Sequence, residues 1–189
     1  MKVRIYTKNG DVGTTRLRDG SKVSKSHEVI CALGDIDEIQ AVLGMARAEC
    51  AEPRYNKMLL EVERDLWTVM SVVAEVKPQS VISDEMKESI KIEAATGDIA
   101  EKTVMLEYAI DEMMKEVDLE RGFILPGESK LSSYLDFART VVRRAERQVV
   151  AMGMAATDVQ KYLNRLSDWC WAFARTVEPQ HTLSAVEEV

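Results

Sequence analysis

The chain has 189 residues, enough for one domain with a sizeable core, and Leu, Val, Ile and Met are plentiful while Gly and Pro are sparse. A net charge of -7 speaks against a general nucleic-acid role, and Cys31, Cys50 and Cys170, without CxxC spacing, speak against a zinc site or a disulfide framework. No signal peptide, membrane-length apolar run or internal repeat is visible, so the expectation is a cytoplasmic protein with reduced thiols and no membrane partner.

Residues 1–26, MKVRIYTKNGDVGTTRLRDGSKVSKS, do not read as helix. Val3 and Ile5 suit at most a short extended piece. The centre of this segment is YTKNGDVGTT at 6–15. Glycine lets backbone N–H groups approach an anion, so Gly, Thr and Lys together suit phosphate binding. A Walker A loop is excluded because no GK[ST] opens a helix here. Read alone, the segment also fits a flexible surface tail.

His27 to about Glu49 reads as the first long helix, with Ile30, Leu33, Ala41, Met45 and Ala48 as its apolar stripe. Asp37 falls inside that stripe, where a carboxylate is costly unless paired. It is read as one half of a buried or interfacial salt bridge to an arginine of a later helix; the alternative is a partly exposed surface acid. Gly34 and Gly44 lie on the same side and predict close approach of another backbone. Pro53 opens a second helix, Arg54 to about Val76, carried by Leu59, Val62, Leu66, Val69 and Val73 and ended by Pro78. Val81 to Gly97 has no clear assignment. Asp98 to Val117 forms the next helix on Thr103, Leu106, Ile110, Met113 and Val117. FILPG at 123–127 is an apolar loop, with Phe123 either packed into a core or walling a pocket.

The helix from Leu131 to Met152 organises the rest. Ser129 is its expected N-cap. Leu131, Leu135, Ala138, Val142, Ala145, Val149 and Met152 make one apolar stripe. Asp136, Arg139, Arg143, Glu146 and Arg147 make a second stripe beside it, with Arg144 on the other side. Arginines stacked at i, i+4 and i+8 repel one another unless something anionic faces them. The stripe is either a solvated basic face with local acidic partners or a cradle for a polyphosphate, which Arg suits through its forked donors. Thr157 or Asp158 caps the last helix, to about Val177. There Val159, Leu163, Leu166, Cys170, Phe173 and Val177 point inward, while Asn164, Asp168, Trp171 and Arg175 share the opposite stripe. The tail after Pro179 is expected to be disordered. These elements predict an all-α bundle, with a segment 1–26, a bundle 27–178 and a tail 179–189. His27 and His181 are the only histidines, so no paired Glu-x-x-His di-iron motif exists, and no Ser/His/Asp or Cys/His nucleophile set is supported.

Four ordered blocks, YTKNGDVGTT, GDIDE at 34–38, FILPG with ARTVVRRAER at 138–147, and YLNRLSD at 162–168, resemble the PduO-type ATP:cob(I)alamin adenosyltransferases. The resemblance spans residues 4 to about 177. It implies a five-helix bundle with ferritin-like up-down packing, an extended N-terminal ATP-wrapping segment, and a homotrimer with ATP at each subunit interface. It implies transfer of the 5′-deoxyadenosyl group of ATP to cob(I)alamin with loss of triphosphate. By position, Thr7, Lys8, Gly10, Asp11, Gly13, Thr14 and Thr15 match the ATP loop, and Arg143 matches an arginine on the triphosphate. Arg139, Glu146, Arg147 and Asn164 fall in the nucleotide site. Asp37 and Arg139 match a salt bridge across the interface, and Phe123 matches an aromatic on the corrinoid side. Arg143, Phe123 and Asn164 are thus the expected catalytic group, and Mg²⁺ is expected mainly on the ATP phosphates. A reductase and an adenosylcobalamin-dependent enzyme are implied partners. The chain departs from the pattern at Gln40, where the family often has Asn, at Glu128, where it often has Gly, and across 78–100. Two alternatives remain: a nucleotide-binding regulatory bundle without turnover, and a purely structural helical module.

Overall fold

The computed structural model describes residues 6, 8–76, 96–115, 117–118, 123–178 and 182–183. Thr7, Val3 and Ile5, most of the unassigned 78–100 stretch and most of the tail after Pro179 lie outside these described residues. The described part holds five helices, α1 Glu28–Glu49, α2 Pro53–Val73, α3 Thr96–Met114, α4 Lys130–Ala151 and α5 Asp158–Thr176, and a hairpin of β1 Thr14–Arg16 with β2 Lys22–Ser24. The all-α expectation holds.

The helices start where the side chains cap them. Pro53 sits in the first turn of α2, where its missing N–H costs nothing. The Ser129 side chain accepts from Ser132 N, and Ser132 reaches back to the Ser129 N–H, a reciprocal cap that opens α4. Thr157 caps α5 through Gln160 N. α2 and α3 each end about a turn before their expected limits.

α4 lies between α1 and α5, α5 also packs on α3, α1 packs on α2, and lesser contacts of α2 with α3 and α5 close the bundle. The core is mainly apolar, with Trp169, Tyr162 and Phe173 of α5 its largest fully buried side chains, and it admits the charged Asp136, Arg175 and Glu178. The Phe173 ring meets Tyr55 of α2 at 5.0 Å and Trp169 at 5.1 Å. The inward stripe of α4 is the expected one, with Leu135, Ala138, Val142, Ala145, Val149 and Met152 all buried.

α1 departs from its expected face. Val29, Ala32, Ile36, Ile39, Val42, Leu43 and Ala46 are buried, whereas Ala41, Met45 and Ala48 are exposed. Apolar residues surround this helix on nearly every side, so spacing alone does not select the buried one. Asp37 therefore lies on the exposed face, not inside a buried stripe. The close approach expected at Gly34 and Gly44 is also absent among the described residues. A Cβ at Gly34 would meet nothing within 4 Å, and one at Gly44 only Glu63 Oε1 at 4.0 Å.

The hairpin is a feature the sequence reading did not anticipate. Thr15 faces Val23, and the turn between the strands has Gly20 at φ 85° and the Asp19 carboxylate accepting from Ser21 N at 2.8 Å. Asp-Gly is the short-range signal for such a turn. Arg18 bonds Glu75 just beyond α2 at 2.9 Å and Leu17 packs on the core, which ties the hairpin to the bundle.

One ion pair joins α2 to α3. Lys102 Nζ lies 2.8 Å from Asp65 Oδ1 and 3.3 Å from Asp98. Burial pushes the Asp65 carboxyl above its usual range, with Lys102 opposing that rise, and the hydrogen bond that Lys102 donates to Asp65 raises the Lys102 pKa. Lys102→Met is expected to cost about 1–3 kcal/mol at pH 7 by stranding that carboxylate, read by urea denaturation. Because Lys102 holds the Asp65 pKa down, its removal raises that pKa further, and the cost is full only above the variant's folded pKa. It shrinks as pH falls through it, since protonation removes the stranded charge. A cost independent of pH contradicts this pairing.

Candidate functional site

The polar face of α4 is held at both ends by α5. At one end, Glu146 Oε1 accepts from Gln160 Nε2 at 2.9 Å and from Asn164 Nδ2 at 3.1 Å. This brings together two residues the sequence assigned to one site, Glu146 and Asn164. At the other end, the Asp136 carboxylate takes Arg175 Nη2 at 2.5 Å on one oxygen and lies 3.5 Å from Arg139 Nε on the other. Arg175 also donates to Glu178 at 2.9 Å, and its guanidinium stands 5.7 Å from the Trp171 ring centre. Arg175 is 2 % exposed, which corrects its expected place on an outward stripe. α5 is wrapped by α3, α4 and α2, so burial extends around most of it and the spacing misjudged the outward side.

Arg143 stands between these two anchors and Arg147 just beyond the Glu146 one. Both are exposed, and among the described residues neither forms an ion pair within 4.0 Å. Arg144, on the other side of the helix, is engaged. It bonds Asp35 at 3.1 Å and also pairs with Glu38, both on α1. The helix thus separates an arginine that neutralises α1 carboxylates from two whose forked donors face outward. The sequence reading had Arg139 paired with Asp37. Within one chain the described partner of Arg139 is Asp136 instead, and its Nε is buried without a hydrogen bond.

The N-terminal loop supplies the second element. Asp11 N bonds Lys8 O at 3.3 Å and Gly13 N bonds Gly10 O at 3.2 Å, so the glycine-rich run folds as consecutive turns. Gly13 has φ 76°, and Lys8, at φ 62°, takes the same left-handed conformation without being glycine. Gly10 packs beside the Lys25 ammonium, with a Cβ there falling 2.9 Å from Lys25 Nζ, the mobile end of that side chain. Thr14 opens β1, Thr15 follows in it, and the Thr14 hydroxyl is buried without a hydrogen-bond partner. The hairpin holds this loop in shape; no hydrogen bond or ion pair among the described residues joins it to the arginine face of its own chain. Thr7, also expected here, lies outside the described residues.

The third element is the loop before α4. Phe123 is 84 % exposed and Leu125 46 %, which rules out the core role for Phe123 within the described chain. Ile124 bridges Leu183, Leu125 N donates to Thr182 O at 2.8 Å, and the Thr182 hydroxyl donates to Glu128. Glu128, the position that departs from the resembled pattern, is thus used to hold the chain's own C-terminal stretch beside the loop.

Other chemistries find little support. Burial pushes the Cys170 thiol far up, which makes it an inert core group. Among the described residues no cluster of His, Cys, Asp and Glu is arranged to hold a metal ion, and no helix is long and apolar enough to cross a membrane. A groove of about 580 Å³ between α3 and α5, lined by Glu107, Asp111, Met114, Arg165, Asp168 and Trp171, is net acidic, and its one cation among the described residues is engaged: Arg165 bonds Glu107 at 3.1 Å and Asp168 at 2.7 Å. Sequence reasoning missed Gln160 and the depth of Arg175. The signals were present in the spacing, Asp136 three residues before Arg139 and Arg175 three before Glu178, each the reach of one helical turn.

Comparisons with known proteins show the family and the fold. The sequence model of the cobalamin adenosyltransferase family matches residues 5–177. The corrinoid adenosyltransferase PduO of Citrobacter freundii is 36 % identical over 174 residues, covering 90 % of this chain and 49 % of that protein; this chain spans about half the length of that relative. A solved PduO-type ATP:corrinoid adenosyltransferase from Lactobacillus reuteri, a phenylalanine-to-histidine variant complexed with cobalamin and ATP, superposes with a TM-score of 0.80 at 31 % identity, covering 97 % of each chain. An arginine-to-lysine variant of the Lactobacillus reuteri enzyme complexed with ATP gives a TM-score of 0.77 at 32 % identity, covering 95 % of this chain and 99 % of that one.

Proposed function

This chain belongs to the cobalamin adenosyltransferase family, and from that premise we propose that it transfers the 5′-deoxyadenosyl group of ATP to cob(I)alamin, forming adenosylcobalamin and triphosphate. The observation that carries the proposal is the outward face of α4, where Arg143 and Arg147 stand without a counter-ion among the described residues while α5 holds Asp136 and Glu146 on the same helix. A row of uncompensated arginines in a chain of net charge -7 suits a polyphosphate. The phenylalanine and the arginine altered in the two Lactobacillus reuteri chains stand as far apart in that sequence as Phe123 and Arg143 do here.

In the proposed reaction the cobalt(I) electron pair attacks the 5′ carbon of ATP. A cobalt–carbon bond forms as the carbon–oxygen bond to triphosphate breaks, and triphosphate leaves with that pair. Cobalt is the nucleophile, so no protein base is required, in keeping with the lack of a Ser/His or Cys/His set in the sequence. The protein's share is positioning and charge stabilisation. Arg143 and Arg147 meet the charge that grows on the triphosphate, with Lys8 and the Gly10–Thr15 backbone wrapping it. Asn164, steadied by Glu146, is placed to hold the nucleoside. Phe123 presents its ring to the corrinoid. Mg²⁺ would be held mainly by the ATP phosphates, where it would supply charge neutralisation alongside Arg143 and Lys8.

The site is read as lying between chains of a cytoplasmic homotrimer, the loop of one subunit reaching the α4 face of the next. A reductase that delivers Co(I) and an adenosylcobalamin-dependent enzyme that takes the product are the partners this chemistry requires. Asp37, exposed on α1, is read as reaching Arg139 of a neighbouring subunit. Asp37→Ala is then expected to weaken both trimer assembly and ATP affinity about tenfold, and the Asp37→Ala, Arg139→Ala cycle to show ~0.5–3 kcal/mol of coupling. Strict additivity refutes direct pairing.

The test of the function is product analysis. Protein, MgATP and chemically reduced cobalamin are expected to yield adenosylcobalamin and triphosphate in equal amounts. Release of ADP or orthophosphate in place of triphosphate contradicts the reaction. ATP binding without product favours the regulatory alternative.

A further inference from the structure

We infer that Arg175 is a positioning residue for the nucleotide, acting through Asp136 on Arg139; this rests on the proposed ATP site. Asp136 is 4 % exposed and Arg175 2 %, and the Glu178 carboxylate completes the set. With Arg139 the four groups are two cations and two anions in a row, Arg139–Asp136–Arg175–Glu178. A buried ion row of this kind adds little net stability over apolar packing, because desolvation offsets the attraction. What it does supply is direction. Arg175 grips one oxygen of Asp136 at 2.5 Å, which aims the other oxygen at Arg139 Nε, 3.5 Å away. The Nε edge of Arg139 is buried, while about a third of its side chain remains exposed on the arginine face. The row therefore sets which edge of the Arg139 guanidinium turns inward and leaves the rest of the fork for the ligand.

The second anchor of the same face supports this reading. Glu146, about three turns further along α4, is held by Asn164 and Gln160 of the same helix α5. α5 thus fixes both ends of the arginine row. The Asn164 end is already assigned to the nucleotide site by resemblance. Arg175 itself bonds Asp136 and Glu178, and Asp136 is its link to Arg139.

The experiment is calorimetric titration of MgATP into the full-length protein and into Arg175→Met, Asp136→Asn, Arg139→Ala and the Arg139→Ala, Arg175→Met pair, with melting curves on each. Arg175→Met and Asp136→Asn are each expected to weaken ATP binding about tenfold by misaiming Arg139, with the KM for cob(I)alamin unchanged. In the Arg139→Ala background the Arg175 change is expected to add less than about twofold, because the group it aims is gone. Losses that multiply fully in the double variant overturn the proposal, since a general structural role does not depend on Arg139. If Arg175→Met fails to fold, Asp136→Asn decides, because it keeps the shape of the side chain and leaves Arg175 its bond to Glu178; wild-type ATP affinity there overturns the proposal. Wild-type protein that binds no ATP overturns the nucleotide site itself, and with it this role.

Discussion

Arg143→Ala is expected to lower kcat/KM for ATP by up to about a hundredfold while the melting curve hardly moves. The size follows from the bond lost: a hydrogen bond to a charged group contributes ~1.5–3 kcal/mol, or about a tenfold to hundredfold change. The selectivity follows from the structure. Arg143 is exposed on α4 and has no ion-pair partner among the described residues, so its removal strands nothing in the fold. Arg144, its neighbour in sequence, provides the contrast, because it neutralises Asp35 and Glu38 of α1. Arg144→Ala is the control that perturbs the α1–α4 contact and leaves the phosphate face intact. Lysine at 143 keeps the charge and loses the fork, so it is expected to recover only part of the activity. Arg143→Ala with wild-type turnover at low ATP contradicts the assignment.

Phe123→Ala is expected to have its largest effect on the corrinoid side. The ring is 84 % exposed on the loop before α4, so truncation costs little stability, unlike the ~3–5 kcal/mol of a buried Phe. In the proposed site the ring fills the space beneath the corrin and keeps the lower ligand off cobalt, which makes Co(II) easier to reduce. Without it a five-coordinate Co(II) form persists. Activity that starts from Co(II) and a mild reductant is then expected to fall on the order of a hundredfold, equivalent to ~120 mV of lost driving force for a one-electron step. Activity from Co(I) made beforehand by a strong reductant falls less, and ATP affinity stays. An unchanged Co(II) spectrum together with reduced stability contradicts the role and makes Phe123 a packing residue.

The α4 helix was legible in the sequence nearly to the residue. Its apolar stripe, its Ser129 cap and its arginine face all follow from a strong 3.6-residue period with one polar side. α1 was legible as a helix but not as a face. With apolar residues around it, only the packing of α2 and α4 decides that Ile36 and Ile39 go inward and Asp37 outward. Arg175 was misplaced for a related reason: α5 is enclosed by three helices, and a charged residue deep in such a helix is tolerated only through partners distant in sequence, here Asp136. The hairpin was missed although Asp19-Gly20 announced it, because strands of three residues carry too little alternation to read. In the candidate site, the Glu146–Asn164 contact joins two residues assigned to the same site from different helices. The pairing of Arg139 with Asp136, one helical turn away, was passed over because the resemblance pointed to Asp37.

The central claim is that this chain makes a cobalt–carbon bond with ATP. The most direct measurement is the visible spectrum of anaerobically reduced cobalamin mixed with the protein and MgATP, followed over time and compared with the same mixture lacking ATP. The account predicts loss of the Co(I) spectrum and growth of the adenosylcobalamin spectrum only when protein and ATP are both present, with the product reverting on exposure to light. A Co(I) spectrum that persists while calorimetry shows ATP bound to the protein contradicts it.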